Sequence, residues 1–292
     1  MKRTKTAIFA GLGRLGTASA EHLLEKGWQV SVSCRRGRPS ERAAKELVSK
    51  FGIGKVLSFD TGLEKREQAD DFIKASLDRY GNIDALVNIA SDYPNEKDHW
   101  QRWQNGGQIT NADWQFYDTN FLVARNPILA LLENLGRQEN LNIINFADAR
   151  SLLYINNDIL DPYTDFGGLT GVSTDHVQSS EALQRLSKVA PKRHANPYTI
   201  AKIDVVHLTR LLALEYGPKV RVNAIAPGPM VPPPDTDADE SDIAVQRTIL
   251  KRWGGCEPIV KTIDFLIEND FFTGQILKPD GGMHLYLKFG DF

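Results

Sequence analysis

Residues 7–16 read Ala-Ile-Phe-Ala-Gly-Leu-Gly-Arg-Leu-Gly, an apolar run that passes directly into closely spaced glycines. The apolar run has the length of a buried strand, and the apolar periodicity that follows predicts a helix. Glycines between a strand and a helix let the backbone approach a pyrophosphate at the helix N-terminus, where peptide N–H groups point outward. The stretch therefore predicts the first turn of a dinucleotide-binding sheet; a glycine-rich turn that binds no ligand is the alternative.

The rest of the chain repeats this alternation of strand-length apolar runs with helix-periodic segments. Further strands are predicted near residues 30–33, 56–59, 85–88, 143–146, 220–225 and 275–277. Helices are predicted between them, including 15–26, 66–80, 113–135, 197–216 and 257–269. Such alternation predicts an α/β fold in one domain over residues 1–292, a Rossmann-type doubly wound parallel sheet of about seven strands with helices on both faces. The polar segment 151–196 breaks the alternation, and we interpret it as an insertion.

The composition is typical of a soluble globular protein, with 41% hydrophobic and 25% charged residues. A formal net charge of -2 provides no overall basic field for nucleic acid or an anionic membrane. The two cysteines, Cys34 and Cys256, lack metal-ligand spacing and suit a reducing compartment. No run reaches the length of a membrane span or of a signal-peptide core. We therefore expect a cytoplasmic protein that acts on a small molecule, without a metal, a membrane or nucleic acid as partner.

The end of the second predicted strand is rich in arginine: Cys34 is followed by Arg35, Arg36, Gly37 and Arg38. Enzymes that use NAD usually carry an acidic side chain here, which accepts a hydrogen bond from the ribose 2'-hydroxyl. No carboxylate follows this strand, and guanidinium groups recognise phosphate through charge and a planar fork of donors. Arg35 and Arg36 therefore favour NADPH over NADH; a solvated basic loop is the alternative.

A tyrosine and a lysine, Tyr198 and Lys202, stand four residues apart in one predicted helix. This spacing places both side chains on the same helix face. A phenol with its ordinary pKa of about 10 is a poor proton donor at neutral pH unless a nearby cation stabilises its phenolate. A second pair with the same spacing, Tyr93 and Lys97, contains a proline and is predicted to lie in a loop. Tyr198 and Lys202 are therefore the predicted centre of the chemistry.

The order of motifs from residue 6 to residue 285 resembles the short-chain dehydrogenase/reductase family. Besides the glycine turn, the shared features are Asp60 after strand three, Asn88-Ile89-Ala90-Ser91 after strand four, Asn120, Tyr198 with Lys202, Arg221 to Gly228, Thr273-Gly274-Gln275 and Pro279-Asp280-Gly281-Gly282. The resemblance implies an oxidoreductase with a nicotinamide cofactor.

The resemblance also implies a role for individual residues. Tyr198 is implied to donate the proton, Lys202 to bind the nicotinamide ribose and assist the tyrosine, and Asn120 to support a water relay. A rival interpretation of Asn120 is a polar residue that serves buried backbone inside a helix. Cofactor contacts are implied for Gly11, Gly13, Arg14, Leu15, Gly16, Arg35, Arg36, Asp60, Asn88, Ala90, Ser91, Lys202, Pro227 and Gly228.

One position narrows the resemblance, because most family members have a serine after strand five where this chain has Asp148. Together with Arg14 in the glycine turn and with Ser91 and Tyr93 after strand four, this aspartate resembles the pteridine reductase and dihydromonapterin reductase branch. The branch implies that Ser91, Tyr93, Asp148 and Tyr198 bind the substrate, with Tyr93 stacked on a pterin ring. Ordinary packing is the rival interpretation of Tyr93, and capping of a neighbouring loop is that of Asp148.

A pterin needs a proton on a ring nitrogen as well as hydride on a ring carbon. We expect partial burial to raise the pKa of Asp148, so that it holds a proton near neutral pH and passes it on. The segment 151–196 runs between Asp148 and Tyr198, and we expect it to be a lid over the substrate. A role in subunit contact is the alternative for this segment.

Three functions therefore stay open: an NADPH-dependent pteridine reductase, an NADPH-dependent reductase of ketones or quinones, and a non-catalytic NADPH sensor. The presence of Tyr198, Lys202 and Asn120 together argues against the sensor, which needs no proton donor. The resemblance further implies a homo-oligomer, a homotetramer, that assembles through the helices beginning near Asp113 and Pro197.

Overall fold

A computed structural model describes residues 3–92, 111–136, 138–154, 196–232 and 243–285. Within these ranges seven strands form one sheet in the order β3-β2-β1-β4-β5-β6-β7. Every pairing between neighbouring strands is parallel. The strands are β1 Thr6–Ala10, β2 Gln29–Cys34, β3 Val56–Asp60, β4 Ala85–Asn88, β5 Leu141–Phe146, β6 Val220–Ile225 and β7 Ile276–Leu277. The predicted Rossmann-type doubly wound sheet is confirmed.

The α-helices of the described residues include α1 Arg14–Glu25, α2 Pro39–Phe51, α3 Arg66–Tyr80, α4 Asn111–Tyr117, α5 Val123–Glu133, α6 Pro197–Tyr216 and α7 Glu257–Glu268. A 3-10 turn, Ala149–Tyr154, follows β5. The single helix predicted over 113–135 is wrong in detail, because a π-helical turn, Asp118–Leu122, separates α4 from α5. Single π turns inside helices are frequent at functional sites.

The sheet is covered on both faces, as its apolar strands require. Every residue of β1, β4 and β5 is buried. One apolar cluster joins the sheet to α1, α2 and α7, with Leu23, Leu47 and Ile263 among its members. A second cluster joins the opposite face to α3, α5 and α6. Burial of this apolar surface is the main favourable contribution to folding of the sheet and its helices.

The strand order places a crevice at the carboxyl ends of β1 and β4. From β1 the chain proceeds outward to β2 and β3, and then crosses back to β4 on the other side of β1. Loops that leave β1 and β4 therefore diverge, and ligands of doubly wound sheets bind at such a switch point. Gly11 follows β1 and Ala90 follows β4, so the glycine turn lies at this crevice.

Some predictions fall on residues that the structure does not describe. Tyr93 lies outside the described residues, and so does most of the predicted insertion, including the proposed lid. Its first residues belong to the 3-10 turn, and Asn196 at its end caps α6. Among the described residues, no helix has both the length and the apolar character that crossing a membrane requires.

Candidate active site

The glycine turn after β1 is fixed by its neighbours. Gly11 has a φ of +101°, in the left-handed region that favours glycine. A Cβ at this position would lie 2.6 Å from the Cα of Ala90, so the loop after β4 leaves no room for a side chain. The Gly11 N–H also donates to Ser33 Oγ at 2.9 Å. The turn is thereby held between the ends of β4 and β2.

A cavity of about 700 Å³ opens above this turn. A Cβ at Gly13 would meet no atom within 4 Å, so the backbone before α1 is accessible from the cavity. An open backbone at a helix N-terminus fits the pyrophosphate of a dinucleotide. Lining residues include Gly11, Gly13, Arg14, Thr17, Arg35, Arg38, Ser40, Gly62, Ala90, Ser91 and Asp92.

The three arginines after β2 have different surroundings. Arg35 lines the cavity and forms an ion pair with Glu64. Arg36 does not line it: its Nε lies 3.1 Å from Asp60 Oδ2, and its backbone N–H donates to Asp60 Oδ1. Arg38 lines the cavity beside the N-terminus of α2, and its guanidinium has no partner within the described part of the chain. A positive helix end with two guanidinium groups fits a 2'-phosphate.

Arg38 belongs to the arginine-rich stretch that predicts a 2'-phosphate site, although the individual cofactor contacts predicted there are those of Arg35 and Arg36. Its position at the start of α2 is indicated by Pro39, because proline favours the first turn of a helix and thus marks the residue before it as the cap.

Arg14 lines the cavity as predicted, but its guanidinium donates to the carbonyl oxygens of Val231, at 3.2 Å, and Pro232. The arginine side chain therefore ties the glycine turn to the loop after β6.

Other predicted cofactor residues do not line this cavity: Leu15, Gly16, Arg36, Asp60, Asn88, Lys202, Pro227 and Gly228. Leu15 packs against the apolar core instead, and Asn88 donates from Nδ2 to Asn145 Oδ1 at 2.8 Å. The carbonyl oxygen of Pro227 accepts from the Ala149 N–H at 3.2 Å, which brings the end of β6 beside the turn after β5.

The first two turns of α6 carry the predicted catalytic pair. Asn196 Oδ1 accepts from the Thr199 N–H at 2.9 Å and caps the helix. Tyr198 and Lys202 are 4% and 1% exposed. Lys202 Nζ lies 5.7 Å from the centre of the Tyr198 ring and donates to the carbonyl oxygen of Phe146 at 3.1 Å. The two side chains thus share a helix face, and the lysine is anchored at the end of β5.

Asp148 lies between the tyrosine and an arginine. The Tyr198 hydroxyl donates to Asp148 Oδ2 at 2.9 Å. Arg150 donates to Oδ1 of the same carboxylate from its backbone N–H at 2.8 Å and from Nε at 3.3 Å. Asp148 therefore caps the turn after β5, as its rival interpretation proposes, and contacts the tyrosine at the same time. No feature of the sequence indicates Arg150.

The charge state of Asp148 differs from the expectation. Burial acts to raise the pKa of Asp148, but the charge and the hydrogen bonds of Arg150 outweigh it, and the pKa is lower than usual. The expected protonated aspartate is therefore wrong, because it omits this counter-ion. Burial lowers the pKa of Lys202 to about 8, although the nearby Asp148 carboxylate opposes this shift. At neutral pH the site thus holds an anionic Asp148 and a cationic Lys202.

Asn120 occupies the π turn between α4 and α5 and is buried. Its Nδ2 donates to the carbonyl oxygens of Phe116, at 2.7 Å, and Asp92, at 2.9 Å. Its Oδ1 accepts from Ser91 Oγ at 2.8 Å. The side chain therefore serves the loop after β4 and the backbone of its own helix, as the rival interpretation proposes. Its part in a water relay stays a prediction.

Family models match two parts of the chain, one on each side of residues 154–181 within the predicted insertion. A short chain dehydrogenase model matches residues 5–153, and an enoyl-(acyl carrier protein) reductase model matches residues 182–284. A Streptomyces violaceoruber protein named ketoacyl reductase 2 of the granaticin polyketide synthase is 37% identical, over 93% of this chain and 92% of its own. The chain therefore belongs to the short-chain dehydrogenase family, whose members are oxidoreductases that use nicotinamide dinucleotides.

Individual relatives within this family have different substrates. A Bacillus subtilis protein named as a 2,4-dienoyl-CoA reductase is 27% identical over 98% of both chains. Among solved structures, FolM alternative dihydrofolate reductase 1 from Brucella suis, in complex with NADP, superposes with a TM-score of 0.71. It is 23% identical over 97% of this chain and 95% of its own, a likeness that shows the fold. The substrate has to be argued from the site itself.

Proposed function

We propose that this oxidoreductase uses NADPH to reduce a pteridine of the dihydropterin type, with Tyr198 as the proton donor. The observation that carries the proposal is the 2.9 Å hydrogen bond from the Tyr198 hydroxyl to Asp148, at a position where most of the family has serine. The Brucella suis neighbour is named a dihydrofolate reductase, and dihydrofolate contains a pteridine ring.

The charge of Asp148 supports a substrate that carries N–H groups. A carboxylate held ionised by Arg150 accepts hydrogen bonds and donates none. A pterin offers ring N–H and amino donors beside the atoms that react, whereas a ketone offers only oxygen lone pairs, which a carboxylate repels. Asp148 is therefore expected to bind and orient a pterin and to disfavour a simple ketone.

Proton delivery then falls to Tyr198 and Lys202. A nicotinamide cofactor, when bound, would supply the hydride for a ring carbon. The Tyr198 hydroxyl would then give its proton to the adjacent ring nitrogen. The resulting phenolate is stabilised by the Lys202 ammonium, whose nitrogen lies 5.7 Å from the ring centre. Lys202 carries this charge at neutral pH, because its pKa is about 8.

The preference for NADPH is proposed from the arginine end of the cavity. Arg38 and Arg35 line the cavity beside Ser40 in the first turn of α2. Guanidinium groups and a helix N-terminus both favour a phosphate over a hydroxyl. The Brucella suis neighbour was solved with NADP, which agrees with this assignment.

A second candidate is an NADPH-dependent reductase of ketones or quinones. This candidate is supported by the similarity to the Streptomyces violaceoruber protein named a ketoacyl reductase, which is 37% identical over 93% of this chain. The negative charge of Asp148 argues against this candidate, because Asp148 contacts the Tyr198 hydroxyl and would lie close to a ketone oxygen bound there.

The decisive experiment measures NADPH oxidation with dihydropterins and with a panel of ketones and quinones. Wild-type protein is expected to turn over dihydropterins, and Asp148→Ser to lose at least about 100-fold of that rate while any ketone reduction survives or improves. Asp148→Asn, which keeps the side-chain volume and removes the charge, is expected to lose a similar part of the dihydropterin rate, because the proposal assigns the effect to the anionic carboxylate. A wild type that ignores pterins, or an Asp148→Ser variant that reduces them as before, contradicts the pterin assignment.

We further propose a cytoplasmic homotetramer built from single domains that each carry the insertion 151–196. Cys34 and Cys256 are both free thiols, which fits a reducing compartment. Exposed leucines on α6 support assembly through that helix.

A further inference from the structure

The loop after β3 brings a carboxylate to the arginine end of the cavity. Glu64 forms an ion pair with Arg35, and its Oε2 accepts from the Leu63 N–H at 3.1 Å. A Cβ at Gly62 would collide with the Glu64 carboxylate and lie 3.5 Å from Arg35 Nε. The glutamate side chain therefore fills the space above this glycine and is directed at the guanidinium.

The backbone of Glu64 is held in place by a buried asparagine, Asn126. Asn126 in α5 is 3% exposed. Its Nδ2 donates to the carbonyl oxygens of Leu63, at 3.0 Å, and Glu64, at 2.9 Å. Because the backbone here is already held by a buried amide, the ion pair with Arg35 costs only the freedom of the two side chains. Glu64 thus differs from an ordinary surface glutamate, because it is held against one particular arginine.

Because of this ion pair, Arg35 and Arg38 differ in how readily their guanidinium groups can bind a phosphate. Both line the cavity, but only Arg35 already has a carboxylate partner among the described residues. A phosphate that approaches Arg35 has to share or displace that carboxylate, and it is repelled by the negative charge of Glu64. A cofactor with a 2'-hydroxyl carries no phosphate charge at this place and meets no such repulsion.

We propose that Glu64 competes with the cofactor's 2'-phosphate for Arg35 and thereby limits the preference for NADPH over NADH. This inference rests on the proposed use of NADPH. It assigns to Glu64 a control of cofactor selectivity that acts through Arg35, without a part in the transfer of hydride or proton.

The test is a set of binding titrations on the full chain at low salt. Glu64→Gln is expected to bind NADPH and 2',5'-ADP roughly tenfold more tightly than wild type, while NADH and 5'-AMP are unchanged. Glu64→Ala is expected to give the same gain, because the effect comes from the lost charge. Glu67→Gln, which neutralises an exposed glutamate in the first turn of α3, is the control and is expected to change little.

Arg35→Ala supplies the second arm of the test. In that background Glu64→Gln is expected to give a clearly smaller gain in affinity for 2',5'-ADP, since the competition for the guanidinium is gone and only the direct repulsion by Glu64 is relieved. The inference is overturned if Glu64→Gln and Glu64→Ala bind 2',5'-ADP no more tightly than wild type, or if Glu67→Gln gives an equal gain. Failure of the proposed use of NADPH gives a different result. In that case the wild type binds NADPH no more tightly than NADH, irrespective of how Glu64→Gln changes the affinity for 2',5'-ADP.

Discussion

At the scale of single residues, the site is a chain of three residues that runs from Arg150 through Asp148 to the Tyr198 hydroxyl. Each contact fixes what the next group can do. Arg150 keeps the carboxylate anionic, and the anionic carboxylate holds the tyrosine proton in place. Lys202 acts from the other side, where its charge favours the phenolate. The Tyr198 hydroxyl therefore has an acceptor for its proton in Asp148, and Lys202 is placed to stabilise the phenolate.

The first prediction concerns Tyr198. Tyr198→Phe is expected to reduce NADPH-dependent turnover by at least about 100-fold, because the proton donor is lost. NADPH affinity is expected to stay nearly unchanged, while Lys202→Ala is expected to impair both turnover and binding. Tyr216→Phe, at the opposite end of α6, is the control. A fully active Tyr198→Phe enzyme contradicts this assignment and directs attention to Tyr93 and Lys97.

The second prediction concerns Arg150. In Arg150→Met, burial acts on Asp148 without the opposing charge, so the pKa of Asp148 is expected to rise. Asp148 then takes up a proton at a higher pH, and the acid side of the pH profile of kcat/KM is expected to move toward neutral pH. Arg42→Met, which removes an exposed arginine that pairs with Glu46, is the control. A profile that matches wild type refutes the role of Arg150.

The third prediction separates two neighbouring arginines. Arg38→Ala is expected to weaken NADPH binding about tenfold or more, because a charged hydrogen bond to phosphate is lost. Arg36→Ala is expected to change NADPH affinity little, since Arg36 pairs with Asp60 and does not line the cavity. NADH affinity serves as the control in both variants. The reverse order of the two effects, measured by titration, contradicts the assignment.

At the scale of elements, α6 performs two tasks, since its first two turns carry the catalytic pair and its middle packs on α4. The Tyr117 hydroxyl donates to Asp204 Oδ2 at 2.8 Å. Burial raises the pKa of Asp204 to about 6, although the hydrogen bond from Tyr117 opposes this shift. The contact between the two helices therefore contains a carboxyl group that is reluctant to ionise.

The fourth prediction follows from that carboxyl group. The unfolded chain ionises Asp204 near its ordinary pKa of 3.8, whereas the folded chain holds the proton up to about pH 6. Folding is therefore penalised as pH rises through this window, and the penalty is complete above it. Asp204→Asn keeps an acceptor for Tyr117 and is expected to stabilise the fold by up to about 3 kcal/mol at neutral pH.

Chemical denaturation at neutral pH and near the acid end of this window measures the effect. The gain from Asp204→Asn is expected to vanish at about pH 4, where both forms are uncharged. Asp78→Asn, on the exposed side of α3, is the control. A gain of equal size at both pH values contradicts the explanation from ionisation.

Elements were also where sequence patterns succeeded best. Every strand is predicted to within two residues of its observed bounds, because the buried parallel strands are rich in apolar residues. Helix α2 is harder to predict, since only Ala44 and Leu47 in it are buried and its apolar stripe is narrow. The π turn around Asn120 depends on contacts with the loop after β4, which no local pattern contains.

The same distinction applies to the site. The spacing of Tyr198 and Lys202 indicates a shared helix face, and the structure places them so. The counter-ions of the arginines cannot be predicted in this way. Asp60 and Glu64 come close to Arg36 and Arg35 only because β3 pairs with β2 in the fold. A sequence without a carboxylate directly after β2 therefore does not by itself predict a basic pocket, because carboxylates from other loops can pair with the arginines.

At the scale of the whole molecule, the sheet places the cofactor cavity and the catalytic pair at the carboxyl ends of its strands. The helices that build the site also present surface to solvent. Leu211 and Leu214 on α6 are 57% and 64% exposed. Exposed leucines on a long helix are expected to be covered in an oligomer.

The fifth prediction is the oligomeric state. The wild type is expected to be a tetramer by light scattering at micromolar concentration. Leu211→Lys combined with Leu214→Lys is expected to yield smaller species, because two charges then face the apolar contact. Ile53→Lys, which alters an exposed isoleucine before β3, is the control. A monomeric wild type refutes the prediction.

The hydrogen bond between Asp148 and Tyr198 has a further consequence for how this chain can vary. It brings together two positions that are 50 residues apart, so the intervening segment starts and ends at nearly the same point. The free energy of closing a flexible loop grows only with the logarithm of its length, by about 0.6 kcal/mol for each doubling. Residues can thus be added or removed between the two ends at little thermodynamic cost to the sheet, which makes this point of the chain a natural location for grafting a new specificity.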